Sequence, residues 1–106
     1  MILTPAAAIS GHRIVKTIGL VKGNTIRARH VGKDILAGLK NLVGGEIEEY
    51  TKMLAEAREQ AIDRMVAEAQ NNGATAITDV RFATSYIMGA ASEIMAYGNA
   101  VVAEPE

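Results

Sequence analysis

Four polar residues in the last third of the chain could do chemistry together. Arg81, Ser85, Glu93 and Tyr97 lie on two β-prone runs, ATAITDVRFATSY and SEIMAYGNAVVAE. If those runs pair, an arginine fork, two hydroxyls and a carboxylate share one surface. Such a set can bind a small anion, with Arg81 gripping it and the hydroxyls fixing its orientation. The same residues also read as a cross-strand Arg81–Glu93 ion pair buried at a subunit contact, and that plainer reading is preferred.

Metal chemistry has thinner support. The only histidines are His12 and His30, far apart in sequence, whereas a zinc site needs three or four ligands. Glu46, Glu48 and Glu49 could hold a hard cation, but acidic residues are also what the first turn of a helix favours. A divalent metal is the one cofactor left open. With no cysteine, disulfides, thiolate catalysis and cysteine-ligated metal are excluded, which fits a reducing compartment.

Other catalytic patterns fail on inspection. Gly32-Lys33 resembles the end of a phosphate loop, yet Arg27 stands at its first glycine position and Asp34 replaces the Ser/Thr. No G-x-G spacing occurs. Ser10, Ser85 and Ser92 lack a G-x-S-x-G setting. Nothing in these residues demands an enzyme.

The elements that must position these groups read as α+β. HRIVKTIGLVKGNTIRARHV predicts an N-terminal β-hairpin turning at Lys22-Gly23-Asn24, residues that tolerate positive φ. Ile35, Leu39 and Leu42 or Val43 predict a short helix over Lys33–Val43, ended by Gly44-Gly45. A long helix is expected over Glu46–Asn72, where Ile47, Tyr50, Leu54, Ala57, Ala61, Met65 and Ala69 form one apolar stripe. Two strands follow, joined by a loop around Met88-Gly89-Ala90-Ala91. In the first, Asp79, Arg81 and Ser85 share a face, opposite Val80, Phe82 and Tyr86. In the second, Ile94, Ala96, Gly98, Ala100 and Val102 make a smooth face for the helix, and Glu93, Met95, Tyr97, Asn99 and Val101 face away. One helix covers one side of an antiparallel sheet. The other side must be wet or closed by another subunit.

Composition points the same way. A chain of 106 residues reads as a single domain, 1–106. It is 49% apolar, but 18 residues are alanine and only Tyr50, Phe82, Tyr86 and Tyr97 are aromatic. A short chain lean in large side chains gains stability by burying faces against copies of itself. Residues 1–45 carry seven basic residues and one acid, 46–72 three basic and seven acidic, and 73–106 one basic and four acidic. This split is best satisfied within the fold or between subunits, because a net charge of −1 is a poor footprint for nucleic acid. No apolar run approaches the roughly 20 residues that span a bilayer. MILTPAAAIS has no basic residue before its apolar run and is broken by Pro5, unlike a signal peptide. The expectation is a cytoplasmic protein with neither membrane nor nucleic acid as partner.

The order of small motifs resembles one family. Gly11-x-x-Ile14, Gly19-x-Val21-x-Gly23, Asp34-x-x-Ala37-Gly38, Gly44-Gly45-x-x-x-x-Tyr50, Ala57-Arg58, Gly73-Ala74-x-Ala76-Ile77, Val80-Arg81-Phe82-x-Thr84-Ser85 and Ala96-Tyr97-Gly98-x-Ala100-Val101 together look like the YbjQ-like family of bacteria and archaea. The resemblance runs from about Ile2 to Val102. It implies a dodecin-like subunit, an antiparallel sheet packed on a long helix, and assembly into ring-shaped homopentamers. It carries the label heavy-metal-binding, an unknown function and no set of catalytic residues. This chain departs from the family where Glu46 replaces a basic residue, Asn99 a threonine, and Thr4-Pro5 a threonine pair. Glu46 would remove an anion contact made by the basic residue, and the lack of cysteine weakens the soft-metal label.

Three functional readings result. The leading one is a non-enzymatic homo-oligomer, a pentamer, that binds or scaffolds through its subunit-lined surface. The alternative is a metal-binding protein using carboxylates with His12 or His30 brought together by assembly. The third is a small-molecule site for an anionic metabolite, or an enzyme site, between subunits at Arg81, Ser85, Glu93 and Tyr97.

Overall fold

A computed structural model describes residues 1–27, 46–87 and 91–106. Four strands and one long helix are described: β1 (Ile2–Leu3), β2 (His12–Arg27), α1 (Glu46–Asn71), β3 (Ala76–Ile87) and β4 (Ala91–Pro105). They form one sheet in the order β1-β3-β4-β2. β4 pairs antiparallel with both neighbours, and β1 adds two residues parallel to β3. The α+β expectation of a sheet with one packed helix holds. No described helix is long and apolar enough to cross a membrane.

The expected N-terminal hairpin is corrected. β2 is one strand of 16 residues, and Lys22, Gly23 and Asn24 pair in unbroken register with Tyr97, Ala96 and Met95. Gly23 serves a different purpose from turning. A Cβ there would collide with the Ala61 carbonyl oxygen and the Met65 amide nitrogen, and would lie 2.8 Å from Arg64 Cβ. The glycine lets the helix backbone rest directly on the strand. The continuation of the expected hairpin past Arg27, the short helix over 33–43, the Gly44-Gly45 corner and the loop at 88–90 lie outside the described residues.

α1 keeps the boundaries its periodicity predicts, to within one residue. Ala57, Ala61, Met65 and Ala69 recur every four residues and are all fully buried, the spacing of one helix face. Leu54, Ile62 and Val66 pack beside them. The helix ends in a Schellman motif. Gly73 adopts φ 84°, its amide donates to the Gln70 carbonyl, and the Ala74 amide donates to the Ala69 carbonyl. Ala74 is itself buried against this end.

Across the sheet the helix meets Val21, Ile77, Ile94, Ala96 and Ala100, a core made largely of small side chains. Alanine and glycine remove volume, so backbones approach closely and dispersion contacts stay dense. The alternation expected for β4 holds from Ile94 to Ala100. Past it, Val101 is buried and Val102 only half-buried.

β3 carries a bulge that alternation does not show. Its register with β4 slips between Thr78 and Arg81, and Asp79 lies at φ 54°. The extra residue keeps Thr78 and Arg81 on the same side of the sheet. Gly98 sits opposite the bulge, where a Cβ would meet Ile77 Cγ2 at 2.7 Å and the Thr78 carbonyl oxygen at 2.8 Å.

Candidate functional site: the uncovered sheet face

The sheet face turned away from α1 is built by alternation. β2 contributes Leu20, Lys22, Asn24 and Ile26; β4 contributes Glu93, Met95, Tyr97 and Asn99; β3 contributes Thr78, Arg81, Ala83 and Ser85. Registers set these residues in rows across the three strands. Leu20, Asn99 and Thr78 form one row, and Lys22, Tyr97 and Arg81 the next. Asn24, Met95 and Ala83 follow, then Ile26, Glu93 and Ser85.

Ser85 and Glu93 do come together. Ser85 Oγ donates to Glu93 Oε1 at 3.3 Å, and Asn24 Nδ2 donates to Glu93 Oε2 at 2.9 Å. A half-buried carboxylate thus has both oxygens held by neutral donors, a network spanning all three strands. The sequence pattern marks Asn24 as a turn residue; the β2–β4 register places it in this network instead.

Arg81 and Tyr97 are paired in register but stand two rows away. Four residues of strand separate Arg81 from Ser85, about 13 Å. The expected Arg81–Glu93 ion pair is therefore corrected. Arg81 Nη1 donates instead to the Pro5 carbonyl at 2.8 Å and to the Val80 carbonyl at 3.0 Å. It ties the N-terminal segment to β3, next to three backbone bonds: Thr4 amide to Ile77 carbonyl, Val80 amide to Thr4 carbonyl and Asp79 amide to Ala6 carbonyl. The shared face of Asp79, Arg81 and Ser85 holds, with an addition from the bulge. Asp79 Oδ2 accepts from Thr78 Oγ1 at 3.1 Å and Asn99 Nδ2 at 3.2 Å.

Large apolar side chains flank these polar groups. Leu20 is 66% exposed and Ile26 is 59% exposed. Met95 and Tyr97 between them are half-buried. The arrangement can hold another surface against itself. It is poorly arranged for nucleophilic chemistry, because Ser85 is oriented by a carboxylate that already accepts from Asn24, and His12 lies at the far end of β2.

The same geometry bears on a metal site. Among the described residues no three His, Asp or Glu side chains converge to hold an ion. His12 Nδ1 is engaged with the Ser10 carbonyl at 3.0 Å. The start of α1 is remote from it. Arg64 of α1 reaches the Asn24 carbonyl and Glu68 reaches the Lys22 amide, so the helix runs antiparallel to β2. Glu46 then lies about 27 Å of helix beyond that crossing, and His12 about 40 Å of strand in the other direction. They cannot share an ion within one chain, and the described donors do not fit a metal site. His30 and the side chains of Glu46, Glu48 and Glu49 lie outside the described residues.

Known proteins bear on the chain at nearly full length. The family described as "Putative heavy-metal-binding", YbjQ, matches residues 1–104. A UPF0145 protein of Dehalococcoides mccartyi is 65% identical over 104 residues, covering 98% of this chain and 100% of the relative. A UPF0145 protein of Methanosarcina acetivorans is 54% identical, covering 95% of each. Among solved structures, a protein of unknown function from Pediococcus pentosaceus, assigned to the DUF74 family, superposes with a TM-score of 0.64. That match covers 98% of both chains at 16% identity, a likeness of fold alone. With a family match spanning the described sheet and helix and relatives more than half identical, the chain belongs to the YbjQ-like (UPF0145) family.

Proposed function

We propose that this protein is a non-enzymatic homo-oligomer of the cytoplasm, a ring of five dodecin-like subunits, that acts by binding or scaffolding. One observation carries the reading. Leu20 and Ile26 stand more than half exposed on a sheet face whose polar groups, Asn24, Glu93 and Ser85, already satisfy one another. Apolar side chains beside a self-satisfied network suit burial against protein, since closing the face leaves no carboxylate oxygen of Glu93 without a donor. The small-residue core supports the same reading, because a chain this lean gains from further apolar burial.

A ligand site for a small anion at Arg81, Ser85, Glu93 and Tyr97 is the second reading. Lys22 and Arg81 flank Tyr97 in one row, which supplies positive charge beside a hydroxyl. The metal reading rests on the description of the family and on residues of several subunits meeting. Native mass spectrometry of gently purified protein, with elemental analysis of the same sample, separates the three. A metal-free pentamer of bare chain mass supports the scaffold. Stoichiometric metal that is lost in a His12→Ala, His30→Ala variant supports the metal reading. Extra small-molecule mass that Arg81→Ala removes supports the anion site. A stable monomer would refute the leading reading.

A further inference from the structure

We propose that Asn72 is a site of self-modification, where the chain loses ammonia and rearranges to isoaspartate or aspartate when the end of α1 frays. Of the five asparagines, Asn24, Asn41, Asn71, Asn72 and Asn99, only Asn72 is followed by glycine. The chemistry needs the backbone nitrogen of the next residue to reach the asparagine Cγ. A side chain on that residue crowds the approach, and glycine has none. Asn24 and Asn99 precede Thr25 and Ala100, which also lie within paired strands. Asn72 and Gly73 are both exposed, so water reaches the site.

The step balances without a cofactor. The Gly73 nitrogen gives up its proton and forms a bond to Asn72 Cγ. The Cγ–Nδ2 bond breaks, and Nδ2 leaves as ammonia with that proton. A cyclic imide remains, and water opens it at either carbonyl. Opening at Cγ leaves aspartate. Opening at the backbone carbonyl carbon leaves isoaspartate, whose main chain runs through the former side chain. Nothing is oxidised or reduced.

The fold sets when this happens. The attacking nitrogen is a donor of the Schellman motif, where the Gly73 amide donates to the Gln70 carbonyl at 3.0 Å. The residues on either side are held as well. The Asn72 amide donates to the Glu68 and Ala69 carbonyls, and the Ala74 amide to that of Ala69. The Gly73 nitrogen cannot face Gln70 and Asn72 Cγ at once, so the closed motif keeps the nucleophile occupied. Fraying of the last turn frees it, a local opening that needs no global unfolding.

The product acts on the same junction. A new carboxylate forms beside a last turn that holds no basic residue, at the helix end where the dipole disfavours negative charge. Isoaspartate also adds a methylene to the main chain between α1 and β3. Just beyond it, the Thr75 amide donates to the Val101 carbonyl, and Thr75 Oγ1 accepts from the Ala103 amide at 2.9 Å. The modification therefore loosens the hold of the helix end on the sheet.

The test follows the intact mass of the full chain in mildly alkaline buffer, folded, in urea below the unfolding transition, and fully unfolded. Peptide mapping with an isoaspartyl methyltransferase and a labelled methyl donor locates the product. The expected result is exchange of NH2 for OH at Asn72. In the folded chain it should run at least about tenfold slower than in the unfolded one, the factor set by about 1.4 kcal/mol of opening. The folded rate should stay nearly flat in low urea, because fraying exposes little surface. Asn72→Gln should keep the circular dichroism of the wild type and lose the mass change. Equal rates in folded and unfolded chains would overturn the proposal, since the motif would then gate nothing. A folded chain that never reacts, or one whose rate climbs steeply with urea, would overturn it by tying the chemistry to global unfolding. So would a product at another asparagine forming as fast as that at Asn72 in the folded chain. If Asn72→Gln does not fold, the mapping on the wild type decides alone.

Discussion

The two faces of β4 obey different rules although they alternate along one strand. Ile94, Ala96, Gly98 and Ala100 face the helix side and are buried. Glu93, Met95 and Tyr97 face the other way and are half-buried, with Asn99 exposed. β2 repeats the division, with Val21, Gly23 and Thr25 inside and Leu20, Lys22, Asn24 and Ile26 outside. On the helix side the controlling quantity is how closely two backbones approach. On the open side it is what lies beyond the chain. A substitution that adds one atom should therefore be felt strongly on the first face and weakly on the second.

Gly23→Val sharpens the comparison most. The new side chain would run into backbone atoms of Ala61 and Met65, which cannot rotate aside as a side-chain tip can. Helix and strand must separate, and the core at Val21, Ala61 and Met65 opens with them. The expected loss is about 3 kcal/mol or more, a large share of a typical 5–15 kcal/mol. Urea unfolding should show the midpoint falling sharply. A loss below about 0.5 kcal/mol would mean that the helix is not seated on this glycine.

Gly98→Ala comes next. Its Cβ would meet Ile77 Cγ2, which can shift, but also the Thr78 carbonyl oxygen, which is fixed by the bulge. A loss of about 1–3 kcal/mol is expected from overpacking. The same denaturation experiment checks it, and its effect should be the smaller of the two glycine variants.

These glycines also show where the sequence was legible. The helix over Glu46–Asn71 and the smooth face of β4 could be read because periodicity reports burial directly, and burial is what holds them. Gly23 misled because positive φ and close approach leave the same letter in a sequence. Only the Cβ collisions with α1 tell them apart. The bulge at Asp79 left no sign in the alternation either, since aspartate tolerates the left-handed φ of 54° without being the glycine that would announce it. At the site, the two strand runs were paired correctly in outline. The register then decided the contacts, matching Ser85 with Glu93 and Arg81 with Tyr97. Arg81 found its acceptors in Pro5 and Val80, carbonyls that no side-chain pattern announces. Family membership was legible because it rests on the order of many small motifs rather than on one contact.

On the open face, Asn24→Ala tests the polar network. It leaves Glu93 Oε2 without its 2.9 Å donor, while Ser85 stays on Oε1. The carboxylate is half-buried, so water replaces part of the lost bond. A loss of about 1 kcal/mol is expected, measured by denaturation of the isolated chain. Ser85→Ala removes a longer bond at an exposed site and should change less. An effect of Ser85→Ala exceeding that of Asn24→Ala would contradict the order of the two distances.

The smallest effect on folding should come from the side chains that look most out of place. Leu20→Ser and Ile26→Ser delete large apolar groups, which on the helix side would cost about 2–5 kcal/mol as a cavity. Here the side chains are already in water, so each should change the stability of the isolated chain by no more than about 0.5 kcal/mol. In the proposed oligomer, assembly should respond strongly instead, because the subunit contact proposed for this face would remove these same side chains from water. Size-exclusion chromatography and denaturation of the double variant read the two quantities separately. A folded chain with unchanged unfolding midpoint and lost oligomeric mass is the expected result. If the double variant instead unfolded like a core truncation, Leu20 and Ile26 would be packed within the chain, and the contrast between the two faces would fail at the residues that define it most sharply.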